Sequence, residues 1–312
     1  MRVAFIVDPL DSLAAYKDSS VAMMREAYRR GHEVFAILRD GLTWENGATW
    51  ARGAQIELGD DDQDWYRESA AIHAPLTEFD AVLMRQDPPF DLEYITATWL
   101  LSRAEEAGAR IFNRPGAIRD HNEKLAITEF PQFIAPTLVS RDMADLQTFV
   151  ETHQDIILKP LDGMGGSQVF RITQHDPNRN VIIETLSRAG RRSLMAQRYI
   201  PAIAEGDKRV LLINGKVVPH ALARIPKAGE TRGNLAAGGR GVVMPLTERE
   251  HEIAATLAPI LAARGLLIVG LDVIGGFLTE INVTSPTCFV EIHQASGDNP
   301  AAMVIDALDS CG

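Results

Sequence analysis

The chain has 312 residues, enough for two domains or one fold of several lobes around a sizeable core. Hydrophobic residues make up 46% and charged ones 23%, a globular balance that excludes wholesale disorder. The net charge of −11 argues against a general binder of nucleic acid or anionic membrane.

Arg2–Asp8 is a short apolar run before turn residues and reads as a buried strand, too short for a signal peptide. Ser19–Arg30 reads as a helix with Val21, Met24 and Tyr28 on one face, Ser19 or Ser20 as cap and Gly31 as terminator. Glu33–Leu38 and Asp80–Met84 read as strands, Ile95–Ala107 as a helix closed by Gly108, and Ile111–Asn113 as a further strand. Strand, helix and strand in alternation predict an open parallel α/β lobe over residues 1 to about 120. Residues 40–75 show no clear period and read as loops on its edge.

From 121 the pattern changes. Thr137–Val139, Ile156–Lys159, Val169–Ile172 and Met195–Arg198 read as strands. Helices over Met143–His153 and around Val181–Ala189 complete a small α+β lobe, about 121–200. Lys208–Ile213 and Lys216–Arg224 flank Asn214-Gly215, a strong hairpin signal. Ile225–Gly241 holds five glycines in 17 residues without a hydrophobic period and reads as a mobile loop. Glu248–Arg264 is a predicted helix, Leu267–Ile274 and Phe277–Asn282 are strands joined at Gly275-Gly276, and Ala301–Asp309 is a short terminal helix.

Two cysteines, Cys288 and Cys311, without a CxxC, support neither a disulfide framework nor a cysteine-based zinc site. Eight scattered histidines supply no metal pair, and no stretch approaches 18 apolar residues. The expectation is a soluble protein of a reducing, cytoplasmic compartment.

Charge is uneven along the chain. Residues 191–240 carry ten Lys/Arg against three Asp/Glu, which suggests an anionic small ligand at a defined place. Arg209 and Arg224 lie on the hairpin and Arg232 in the glycine-rich loop; arginine matches carboxylate and phosphate bidentately. Lys159 ends a strand and leads into Gly163, Met164, Gly165, Gly166 and Ser167. Glycines there let backbone N–H groups close round phosphate oxygens, though a plain hairpin turn would read the same. The order is not that of a P-loop, and a strand rather than a helix follows. Lys124 and Lys159 are two of only six lysines beside 25 arginines, and both sit in hydrophobic surroundings that suit a triphosphate. Gln197, Arg198, Tyr199 and Ile200 could offer backbone groups to an adenine edge, or form a plain core strand.

Glu280 and Asn282 are two apart on one strand and share a side, with Asp272 across a tight turn. Oxygen ligands on paired strands suit Mg²⁺, which takes one or two carboxylates and completes its shell with phosphates and water. Asp18 and Ser19 open a helix whose N-terminus could take a carboxylate or simply be capped. Arg85 follows a buried strand at its C-terminal end, where open α/β sheets bind ligands, in a segment that also reads as a rigid proline turn.

Four segments carry a resemblance: Arg85 to Asp91 (RQDPPFD), Ile156 to Ser167 (IILKPLDGMGGS), Arg224 to Gly241 (RIPKAGETRGNLAAGGRG) and Leu278 to Cys288 (LTEINVTSPTC). With Arg119–Leu125 and Gly206–Val210 they run in order over nearly the whole chain. The chain resembles the bacterial glutathione synthetases of the ATP-grasp superfamily. That resemblance implies a three-lobed ATP-grasp fold: an N-terminal pre-ATP-grasp α/β domain (1–120), a central lid subdomain (121–200) and a C-terminal subdomain (201–312). It implies ligation of γ-glutamylcysteine to glycine through an acyl phosphate, with ATP as co-substrate and Mg²⁺, or Mn²⁺ in its place.

The resemblance also implies roles. Lys124 and Lys159 would contact nucleotide phosphates beneath a lid of Gly163–Ser167. Gln197–Ile200 and Asp207 would hold adenine and ribose. Asp272, Glu280 and Asn282 would bind the metal. Arg209, Arg224 and Arg232 would hold peptide or the reacting phosphoryl group, and Ser285 and Thr287 would border the glycine site. Partners would be small molecules and further copies of the chain, with no nucleic acid or membrane. The tail after Cys288 follows the family loosely and residues 40–75 hardly at all. Another ATP-grasp carboxylate–amine ligase would keep the phosphate and metal residues and change the peptide-binding ones. A non-catalytic ATP-binding protein of this fold would have lost a metal ligand or the loop arginine.

Overall fold

The computed structural model describes residues 1–227, 229, 233 and 238–310. Eight of the 17 residues of the expected mobile loop, Arg232 included, and Cys311 lie outside the described residues.

The first sheet begins with β1 (Arg2–Val7), whose residues alternate between two cores. Val3 and Phe5 point to one side and Ala4 and Ile6 to the other, all wholly buried. Helix α1 (Ser19–Arg29) returns the chain to β2 (Glu33–Glu45), parallel to β1. Asp18 caps α1, accepting from Ser20 N and Val21 N; Ser19 and Ser20 are already inside the helix. Val21 and Met24 are buried as expected, whereas Tyr28 is exposed and Met23 and Ala27 complete the buried face.

Residues 40–75 are not loops. They form the second half of β2, then β3 (Ala48–Leu58) and β4 (Tyr66–Pro75), an antiparallel meander on the edge of the parallel strands. Gly53 lies so close to β2 that a Cβ would meet Ala36 O at 2.2 Å, which explains a glycine inside a strand. The sheet is completed by β5 (Ala81–Met84), helix α2 (Leu92–Glu106) and β6 (Ile111–Phe112), in the order β4-β3-β2-β1-β5-β6. Helix α3 (Pro115–Asp120) leads out of this lobe.

The second sheet is antiparallel, in the order β7-β10-β8-β9: β7 (Thr137–Ser140), β8 (Asp155–Pro160), β9 (Phe170–Thr173) and β10 (Leu194–Arg198). Helices α4 (Met143–His153) and α5 (Arg179–Ser187) cover one face, and Leu146, Val150, Ile156, Leu158, Ile183 and Leu194 form a separate core there.

The third sheet contains β11 (Asp207–Ile213), β12 (Lys216–Val217), β13 (His220–Ile225), β14 (Arg240–Pro245), β15 (Ile268–Ile274) and β16 (Phe277–Asn282). Asn214 and Gly215 turn β11 into β12 with φ of 49° and 72°, the left-handed pair a two-residue hairpin needs. The expected single return strand is broken at Val218-Pro219, where proline has no N–H to donate, and resumes as β13. Gly275 and Gly276 make the β15–β16 turn. Helix α6 (Glu248–Ala263) packs on Val210 and Leu212 of β11. Leu211 and Ile213 face the other way, toward α7 (Phe289–Ser296), α8 (Pro300–Ser310) and α1. Helix α7 has no sequence signal because its N-cap, Cys288, sits at φ 87° without a capping side chain. None of the described helices is long and apolar enough to cross a membrane.

Candidate active site

A cavity of about 370 Å³ lies between the second and third sheets. Asp207 and Arg209 share one side of β11, and strand register sets Asp207 against Arg224 and Asp272 against both Arg209 and Glu280. A register shift beside Asp272 pairs Val273 with Leu278, leaving Thr279 as the extra residue. Such a bulge re-aims side chains, and here Thr279 and Glu280 both reach the cavity.

The charged side chains alternate in sign. Arg209 holds Asp272 through Nε (2.6 Å) and Nη2 (3.2 Å). Arg224 Nη2 lies 2.9 Å from Asp272 and 2.6 Å from Asp207. Burial would raise the Asp272 pKa, but the two guanidiniums outweigh it and hold the carboxyl well below the usual range. Asp207 goes the other way: burial, reinforced by Asp272 and Glu280, pushes it up to about 7 against the pull of Arg224. Its Oδ1 is buried without a partner among the described residues.

Glu280 lies 3.5 Å from the ammonium groups of both Lys124 and Lys159. Burial opposes its ionisation, yet the two lysines lower its pKa. Burial lowers that of Lys159, with Lys124 adding to the effect. Lys124 also donates to Gly163 O, tying it to the glycine loop. In that loop Gly165 and Gly166 adopt φ of 59° and 78°, a turn that leaves little choice but glycine.

At the far end Gln197, Arg198, Tyr199 and Ile200 line the cavity beside Ile157, Val169, Ile203 and Ile274, an apolar slot suited to a flat aromatic base. Asn282 donates through Nδ2 to Gly270 O (3.1 Å), and its amide oxygen has no hydrogen-bond partner among the described residues. Both Asp272 oxygens contact arginine, but a carboxylate keeps further lone pairs for a cation. No cluster of three His, Cys, Asp or Glu residues suited to a metal occurs among the described residues. One or two carboxylates with an amide oxygen and substrate phosphates are the donor set of Mg²⁺ rather than of a protein-caged ion.

Ser285 and Thr287 line the cavity, whereas Asp18, Ser19 and Arg85 stand behind the segment that carries them. Arg85, 4% exposed, reaches Ser20 Oγ (3.2 Å) and Pro286 O (2.9 Å). Ser19 Oγ accepts from Phe289 N (3.2 Å), and Ser285 donates to Asp87.

A family model described as "Prokaryotic glutathione synthetase, N-terminal domain" matches residues 1–119, and one described as "Prokaryotic glutathione synthetase, ATP-grasp domain" matches 123–297. A glutathione synthetase of Ralstonia nicotianae is 57% identical over 309 residues, covering 99% of this chain and 95% of the relative. The chain belongs to the prokaryotic glutathione synthetase family. Glutathione synthetases of Neisseria meningitidis serogroup B (54%; 99% and 98% covered) and Pseudomonas aeruginosa (50%; 99% and 97%) are also similar.

Among solved structures, D-cycloserine synthetase DcsG aligns with a TM-score of 0.69 at 15% identity, over 99% of this chain and 100% of that one. The ATP-grasp ligase PsnB, complexed with precursor peptide PsnA2 and AMPPNP, aligns at 0.63 and 18%, over 98% and 97%. These likenesses establish the multi-lobed ATP-grasp fold. Glutathione synthetases of this fold use ATP and a divalent metal ion.

The cavity also contains residues that motif reading passed over. Glu123, Asp87, Thr279, Thr284 and Cys288 all line the cavity. Glu123 stands inside a quoted motif, but nothing local marks its side chain. Only the chain path beside β16 brings it in.

Proposed function

We propose that this chain joins γ-glutamylcysteine to glycine with cleavage of ATP, giving glutathione, ADP and phosphate. The observation that carries the reading is one cavity in which a glycine loop, two buried lysines, two buried arginines and the carboxylates of Asp207, Asp272 and Glu280 converge.

A carboxylate is a poor electrophile because an amine cannot displace oxide from it. Transfer of the γ-phosphoryl group to the cysteinyl carboxylate creates an acyl phosphate, which the glycine amine attacks with loss of phosphate. Lys124, Lys159 and the amides of Gly163, Met164, Gly165, Gly166 and Ser167 hold the nucleotide phosphates and spread the charge of the transferring group. Gln197, Arg198, Tyr199 and Ile200 hold adenine, and Asp207 offers its open oxygen to ribose. Glu280 and Asn282, with Asp272, hold Mg²⁺ or Mn²⁺. A bound divalent ion supplies charge neutralisation at the phosphates.

Arg209 and Arg224, fixed by Asp272 and Asp207, face the peptide carboxylate and its oxyanion. Arg232 is assigned to the same carboxylate-binding group of arginines. Ser285 and Thr287 border glycine, and Asp18, Ser19 and Arg85 support the peptide side. The three lobes divide at about 120 and 200, and the enzyme works as a cytoplasmic homo-oligomer.

ADP release, measured with γ-glutamylcysteine and glycine each omitted in turn, tests the reading. Release that needs both substrates supports it. Release that needs neither points to a different reaction.

A further inference from the structure

Glu123 is held in an unusual way. Its backbone carbonyl accepts from Ile281 N (2.8 Å), between the side chains of Glu280 and Asn282. Its side chain turns to the segment that follows β16. Three donors converge on one oxygen, Oε1: Val283 N (2.9 Å), Thr284 N (3.1 Å) and Thr284 Oγ1 (2.9 Å). The other oxygen, Oε2, has no hydrogen-bond partner among the described residues, and Glu123 lines the cavity. A carboxylate that only capped the turn would not need a cavity beside its second oxygen.

The position is specific. The next residue, Lys124, points to Glu280 and the glycine loop. The segment that Oε1 anchors continues directly into Ser285, Pro286 and Thr287. Glu123 therefore lines the cavity next to the segment that carries Ser285 and Thr287. The other acids of the cavity floor each have a cationic partner: Asp207 and Asp272 arginines, Glu280 lysines, although Asp207 too keeps one oxygen open. The amine arrives as an ammonium ion and must lose a proton before it can attack.

Resting on the ligase reading above, we propose that Glu123 Oε2 receives the glycine ammonium group and takes its proton. The freed lone pair attacks the acyl carbon and forms the C–N bond. The bond from that carbon to the phosphate oxygen breaks with its electron pair. The second amine proton leaves with the phosphate, and the proton on Glu123 returns to solvent. Burial pushes the Glu123 carboxyl above its ordinary range against the pull of its three donors, with Glu280 adding to the rise. That improves it as a proton acceptor. Tyr94, wholly buried on α2, is the other titratable group set against it.

Glu123→Gln separates this role from a structural one, because the amide oxygen can still accept from Val283 and Thr284. The substitution should lower kcat/KM for glycine by about 100-fold or more, the usual scale of general base catalysis, while the melting temperature stays unchanged. Hydroxylamine, which is uncharged at neutral pH, should still trap the acyl phosphate as hydroxamate at the wild-type rate. In Glu123→Ala, added formate should restore part of the glycine reaction.

Glycine turnover within threefold of wild type would overturn the assignment. So would equal loss of amide and hydroxamate together with a lowered melting temperature, which would leave Glu123 as a clamp only. A changed Mg²⁺ requirement would make Oε2 a metal ligand and overturn it too. Wild-type protein that forms neither product would instead remove the ligase reading itself.

Discussion

Asp272 shows how much of this site is electrostatic bookkeeping between a few buried groups. It is 4% exposed and touches two guanidiniums, so its charge is stabilised only while both remain. Asp272→Asn leaves Arg209 buried without a carboxylate. Removing one partner of such a pair costs about 3–5 kcal/mol, so urea unfolding should show a loss of that size beyond any effect on turnover. Glu280→Gln acts differently. It deprives Lys124 and Lys159 of their shared counter-ion and removes the proposed metal carboxylate. Mg²⁺-dependent kcat should fall by more than about 100-fold, read by ADP release across a metal titration. Retained turnover would take Glu280 out of the metal site. Glu280 was legible in the sequence because it interrupts an apolar strand, whereas Asp207 came only with the family resemblance. Glu123 was not, since its neighbours in space are 158 or more positions away in the chain.

At the scale of elements, legibility followed side-chain size. Strands β1, β8 and β15 read correctly because most of their residues are large and apolar. The meander of β3 and β4 did not: its inward positions are largely alanine, such as Ala51, Ala54 and Ala74, and its register shifts at Gln55/Ile56. Period-two alternation is hard to see when the buried residue is a methyl group and a bulge resets the phase. Helix α7 failed for the opposite reason, since its start carries no capping signal. Helix α6 has a full one. Thr247 accepts from Glu250 N (3.3 Å) while the Glu250 side chain accepts from Thr247 N (2.9 Å). Thr247→Ala should cost about 1 kcal/mol in urea unfolding and leave turnover unchanged, because α6 packs behind the sheet and away from the cavity.

Across the whole molecule the three sheets do not stand apart equally. One core joins Phe5 and Met24 of the first lobe with Leu211, Ile268, Phe289 and Val304 of the third. The second sheet has its own core. Hydrogen exchange should therefore find one cooperative unit formed by the first and third sheets, and a second, less protected unit over residues 137–198. Bound nucleotide should raise protection mainly in that second unit, because the cavity lies on its boundary. Equal protection in all three sheets would contradict this division. Net charge, informative about excluded partners, says nothing of this arrangement. The basic stretch 191–240 acquires meaning only where Asp207 and Asp272 neutralise two of its arginines.

The packing of α8 on α1 has a consequence for synthesis. Val304, Ile305 and Leu308 complete the core around Met24, and Arg30 reaches Asp306 at 2.6 Å. A ribosome delivers the first lobe nearly two hundred residues before it delivers that helix. Until then the emerging lobe carries an uncovered apolar side, so it cannot mature as an independent folding unit during translation. The nascent chain must wait, or be sheltered by a chaperone, until its far end comes round to meet its beginning.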